Sequence, residues 1–153
     1  MTLETITLAV GPKETKRTEE LKRALLDVAV PTDAMVVLLH VFSESAYRKG
    51  VVEAGYDPEN PPKPDTLATR LESIDDISAT LHDRGVEHRI RGETGDVTDE
   101  VIGAVEATGT DMLLVGGRRR SPTGKAVFGS TAHRVMMHAP CPVLFVREGF
   151  DGT

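Results

Sequence analysis

The chain reads as an α/β fold: one domain built on an open, parallel, five-stranded sheet with helices on both faces. Five short apolar runs alternate with segments of helical periodicity, which is the pattern of βαβ units. Three of the runs are apolar almost without interruption, as strands covered by helices on both faces have to be. The length of 153 residues is that of one ordinary domain, enough to bury a core without disulfides or metals, so residues 1–153 are expected to form a single unit.

Taken in order, the first strand is Ile6 to Val10, and the stripe Leu21, Leu25 and Val28 marks a helix behind it. The second strand is Met35 to Val41. From Ser43 to Pro64 the chain carries Gly50, Gly55, Pro58, Pro61, Pro62 and Pro64, which argues against a continuous regular element. Segments of this length are lids, binding loops or plain insertions, and this one is placed as a loop over the ligand-facing side of the sheet. Leu67, Leu71, Ile74, Ile77 and Leu81 then mark a second helix, and Val86 to Ile90 a third strand. Asp96 is a suitable N-cap for a helix through Val97, Val101, Ala104 and Val105, with Gly109 as its stop. Met112 to Val115 is the fourth strand. A short helix carrying Ala132, Val135, Met136 and Ala139 ends before Pro140, and Val143 to Val146 is the fifth strand.

Composition narrows the function. The chain is 39% hydrophobic and 27% charged, with no Trp, two Tyr and four Phe, so it has few of the aromatics that stack nucleic-acid bases. A formal net charge of −6 repels DNA, RNA and anionic lipid, so any anion site must be local. The N-terminal stretch lacks a basic n-region, and no run approaches the length of a membrane span, which points to the cytoplasm. Cys141 has no partner for a disulfide or a CxxC pair and reads as a small buried hydrophobe between Pro140 and Pro142.

The chemistry concentrates between Leu113 and Thr131, where a buried strand runs into glycines, then a basic turn, then a second glycine that opens a helix. Gly116 and Gly117 let backbone N–H groups approach an anion with no Cβ in the way. Gly129, Ser130 and Thr131 offer N–H groups and two hydroxyls at a helix N-terminus, where the macrodipole favours negative charge. Arg118, Arg119, Arg120 and Lys125 add cations in an acidic protein. In open α/β sheets ligands collect outside the carboxyl ends of the strands, and this segment leaves such an end. The arrangement suits a phosphate.

Familiar alternatives fail on particular residues. A Walker A loop aligned on Gly124-Lys125 needs glycine at Arg119 and Ser or Thr at Ala126. Gly11-Pro12-Lys13 after the first strand is neither the dinucleotide fingerprint nor an SGGxDS-type pyrophosphatase loop, and there is no Ser/Thr-rich flavin phosphate loop there either. His40, His82, His88, His133 and His138 show no metal-ligand spacing, and Ser130 has no G-x-S-x-G context. No catalytic residue and no metal site is assigned.

The segment resembles the C-terminal signature of universal stress proteins, G-x2-G-x9-G-[ST], matched here by Gly116, Gly129 and Ser130 and followed by Ala139-Pro-Cys-Pro-Val-Leu-Phe-Val-Arg147. Leu38-Leu-His-Val41 resembles the end of that family's second strand. The resemblance implies a Rossmann-like sheet in the order 3-2-1-4-5, a homodimer paired through its last strands, and ATP, with Mg²⁺ as its counterion, bound by the loop. On this chain the implied binding residues are Val10, Gly11, Val41, Val115, Gly116, Gly117, Arg118, Arg119, Gly129, Ser130 and Thr131. The function expected is a stress-response factor that binds ATP as a signal, with at most slow hydrolysis. Two departures, Arg119 for the second glycine and no aspartate after the first strand, support an alternative: a nucleotide-free dimer acting through protein contacts.

Overall fold

The computed structural model describes residues 2–11, 18–116 and 130–146. Its five strands are β1 (Thr5–Ala9), β2 (Met35–Phe42), β3 (His88–Thr94), β4 (Met112–Gly116) and β5 (Val143–Val146). Its helices are α1 (Thr18–Thr32), α2 (Glu44–Glu53), α3 (Pro64–Ala68), α4 (Glu72–Asp83), α5 (Val97–Thr108) and α6 (Ser130–His138). The strands form one parallel sheet in the order β3-β2-β1-β4-β5, the order that the resemblance implied.

Strand alternation sorts the core into two layers. Ile6, Leu8, Val36, Leu38 and Leu114 point to the face covered by α1 and α4, where they meet Leu21, Leu25, Ile74, Ile77 and Leu81. Leu39, Val41, Leu113 and Val115 point to the opposite face, against Val101, Ala104 and Val105 of α5 and Val135 of α6. α5 begins and ends as the sequence indicates. Asp96 accepts a bond from the Asp99 N–H at 3.0 Å, and Gly109 closes α5 in the left-handed region at φ 64°.

Three expectations are corrected. The stretch from Ser43 is not one irregular loop: α2 occupies residues 44–53, capped by the Ser43 hydroxyl, which accepts from the Ala46 N–H at 3.1 Å. Glycine inside a helix costs only about 1 kcal/mol, and at Gly50 the missing side chain makes room for Leu67, whose Cδ2 would lie 3.1 Å from an added Cβ. Together α2 and α3 bury Val51, Leu67 and Ala68 against Phe42, so the insertion packs as a third small cluster on the β2 and β3 side. The apolar stripe from Leu67 to Leu81 belongs to two helices, α3 with Pro64 at its start and α4 from Glu72, rather than one. The third strand runs from His88 to Thr94 and not from Val86 to Ile90, because β3 lies at the sheet edge and its pairing with Phe42 continues to Thr94 through charged positions that an edge tolerates.

β5 is the opposite edge. It is not covered on both faces, since Leu144 is 38% exposed. Cys141 is only partly buried; it packs beside the α5–α6 layer, and burial raises its thiol pKa. Among the described residues no helix is long and apolar enough to cross a membrane.

Candidate functional site

The sheet order reverses at β1. Its two neighbours are β2 on one side and β4 on the other, so the connections leave their carboxyl ends in opposite directions. A crevice outside the ends of β1 and β4 is the consequence, and this is where open parallel sheets hold ligands. Register brings the expected residues to it: Ala9 lies opposite both Leu39 of β2 and Val115 of β4. Val10, Gly11, Val41, Val115 and Gly116 therefore sit at one end of three adjacent strands. The Val10, Val41 and Val115 side chains are buried, while Gly11 and Gly116 are half-buried. Ser130 and Thr131 are exposed in the first turn of α6, a helix on the β4 side that packs against α5. Gly117, Arg118, Arg119 and Gly129 lie outside the described residues.

The backbone at the base of this crevice is unusual in one respect. Val10 N–H donates to the Leu39 carbonyl at 2.8 Å, as a parallel ladder requires. The next rung of that ladder is Val41 N–H to the Val10 carbonyl. Here the Val10 carbonyl instead accepts from Nδ1 of His40 at 2.7 Å. A carbonyl only accepts, so Nδ1 carries the proton and Nε2 of the neutral ring has the lone pair. His40 is buried, with its ring edge-on to Phe42 at 4.5 Å between centroids. Burial lowers its pKa from 6.5, only partly offset by the bond to Val10, so the ring is neutral at pH 7. Sequence reasoning did not assign His40 to the site. The available signal was a polar residue inside the otherwise apolar run Met35–Phe42.

Threonines tie β1 to the turn that leads from α5 into the amino end of β4. The hydroxyls of Thr7 and Thr110 meet at 2.6 Å, and Thr110 also meets Thr108 at 2.7 Å, which itself donates to the Ala104 carbonyl at 2.8 Å. Next to Thr110 the Asp111 carboxylate accepts from the Glu4 and Thr5 N–H groups at 2.9 and 3.0 Å, which hold its pKa below the usual carboxylate value. Two features elsewhere carry no comparable chemistry. An open groove between α1 and α4 is lined by Lys22, Arg23, Leu26, Val30, Thr80 and Arg84, but Lys22 is already paired with Glu19 and Asp76, and none of the expected site residues lines it. Among the described residues no three His, Cys, Asp or Glu side chains group as a metal site.

The fold defines an open parallel α/β protein whose topological switch point lies between its first and fourth strands. The chain belongs to the universal stress protein family, whose model matches residues 2–147. A universal stress protein of Mycolicibacterium smegmatis is 38% identical over 88 residues, covering 56% of this chain and 68% of that protein. Among solved structures, the universal stress protein of Archaeoglobus fulgidus superposes with a TM-score of 0.70 at 22% identity, covering 94% of this chain and 98% of its own. A universal stress protein structure from the same organism, in complex with dAMP, superposes with a TM-score of 0.66 at 17% identity, covering 95% and 99%. At these identities the structural likeness fixes the fold.

Proposed function

We propose that this protein binds an adenine nucleotide in the crevice between β1 and β4, with ATP and its Mg²⁺ as the physiological ligand, and acts as a cytoplasmic, homodimeric stress-response factor. The observation that carries the reading is the meeting of Val10, Gly11, Val115 and Gly116 at the switch point, with Val41 beside them. The residues fit such a ligand at its base end. Odd residues of β2 turn their peptide groups toward β1, as Leu39 does in accepting from Val10, so the Val41 N–H and C=O face the line of β1 beyond the end of its pairing. One peptide edge carrying a donor and an acceptor complements the N1 acceptor and N6 amino group of adenine. Gly116 and Gly117 would admit the phosphates, Ser130, Thr131 and the α6 dipole would hold them, and Arg118 and Arg119 would offset their charge. No general base is assigned, so binding as a signal is preferred to turnover. Support also comes from the dAMP complex of the Archaeoglobus neighbour.

The test is to denature freshly purified protein, identify any released nucleotide by chromatography and mass, and titrate the emptied protein with ATP and Mg²⁺ by calorimetry. Stoichiometric nucleotide with measurable rebinding is the expected result. A second reading, a nucleotide-free dimer acting on other proteins, is favoured by Arg119 at the position of the second loop glycine and by Pro12-Lys13 where an aspartate would stand. An empty protein that ignores ATP would select it.

A further inference from the structure

We infer that His40 is the positioning residue for the base end of the crevice: its side chain replaces one rung of the β1–β2 ladder and leaves the Val41 peptide turned to the ligand. The inference rests on the nucleotide reading above and deepens it. Three observations carry it. Peptide direction alternates along β2: Leu39 accepts from Val10 of β1, whereas Val36 N–H reaches Glu87 and the Phe42 carbonyl receives Gly95, both toward β3. Val41 shares the direction of Leu39, so a ladder continued by one residue would spend its N–H on the Val10 carbonyl. That carbonyl is taken by His40 Nδ1 at 2.7 Å. The third observation is burial: His40 is 4% exposed and its ring is braced edge-on by Phe42, so the donor is held in place rather than sampled.

The consequence is chemical selectivity. A peptide whose N–H meets a ring acceptor and whose C=O meets an amino group matches adenine, while hypoxanthine presents a donor at N1 and an acceptor at O6, the reverse order. If the Val41 N–H returned to the Val10 carbonyl, the crevice would lose the donor that tells the two bases apart. His40 touches neither reacting atoms nor, on this account, the base; it acts through the backbone.

The experiment compares wild type with His40→Phe, which keeps the ring volume and removes the donor, and with His40→Asn, whose amide N–H falls near the Nδ1 position. Two quantities are read: calorimetric affinity for AMP and for IMP, and amide hydrogen exchange at Val41, with thermal melts confirming that each variant is folded. Expected is a loss of AMP affinity on the order of tenfold in His40→Phe, with the preference for AMP over IMP abolished, slower exchange at Val41 as its N–H closes on Val10, and recovery of wild-type behaviour in His40→Asn. Unchanged Val41 exchange and unchanged AMP affinity in His40→Phe would overturn the inference. So would an equal loss in His40→Asn, which would assign the effect to ring packing. A wild type that binds no AMP overturns the nucleotide reading and the base-positioning role with it, while the exchange comparison still decides whether His40 ends the ladder.

Discussion

The backbone of Pro64 lies where the side chain of residue 92 would be. A Cβ built on Gly92 falls on the Pro64 carbonyl and 2.8 Å from the Asp65 nitrogen, while the Gly92 N–H donates to the Asp65 carboxylate at 2.7 Å. This contact seats α3 on β3. Gly92→Ala must move backbone rather than a flexible side chain, and overpacking of that kind costs about 1–3 kcal/mol. Gly50→Ala meets only the tip of Leu67 and gains helix propensity of about 1 kcal/mol, so it should be neutral or stabilising. Urea denaturation of the two variants, with m unchanged and the midpoint lowered only for Gly92→Ala, checks the pair.

Acid should weaken the fold through His40. The folded pKa lies below 6.5 because the ring is buried. Below pH 6.5 the unfolded chain therefore binds a proton that the folded chain does not, and stability falls with falling pH until the folded value is passed; above pH 6.5 the group contributes no slope. The slope from one such proton is at most about 1.4 kcal/mol per pH unit. Urea midpoints measured at pH 7 and pH 5 should diverge more for wild type than for His40→Phe. Equal divergence would mean that His40 does not carry the acid response.

Much of the sheet was legible because its central strands are written in apolar residues, while Val10, Val41 and Val115 were named as site residues through the family resemblance and Gly116 through its place after the fourth strand. The edge strand β3 was less so: Arg89, Arg91 and Glu93 interrupt its apolar run, and only its partner β2 defines its length. The helix α2 was hidden by Gly50, whose purpose is a close approach to Leu67 that lies 17 positions away in sequence. His40 was hidden for a similar reason. A histidine in an apolar strand looks like an ordinary core residue until the β1–β2 register shows which carbonyl it faces.

Ser130 opens α6 and is exposed. Glutamate at this position is favourable to the helix, since negative charge near an N-terminus adds about 0.3–1 kcal/mol, but it repels the phosphates proposed to bind there. Ser130→Glu should leave the far-UV spectrum unchanged and the melting temperature no lower while lowering ATP affinity by on the order of tenfold or more. Calorimetry on the emptied protein reads the affinity. Unchanged binding would remove the phosphates from this helix end.

β5 presents the last prediction. Among the described residues it pairs only with β4 and stands at the edge of the sheet, and its solvent-turned side chain is Leu144, 38% exposed. An apolar edge strand invites a second strand, and the simplest partner is the same edge of a second copy, related by a two-fold axis. Light scattering should then give twice the chain mass of 16.5 kDa. Leu144→Lys should give the monomer, because a two-fold pairing would bring both lysines to one strand junction, whereas in the isolated chain the new side chain stays in water and the fold is retained. A wild type that remains monomeric at high concentration would leave this edge to another partner, and a dimer that survives Leu144→Lys would move the interface away from β5.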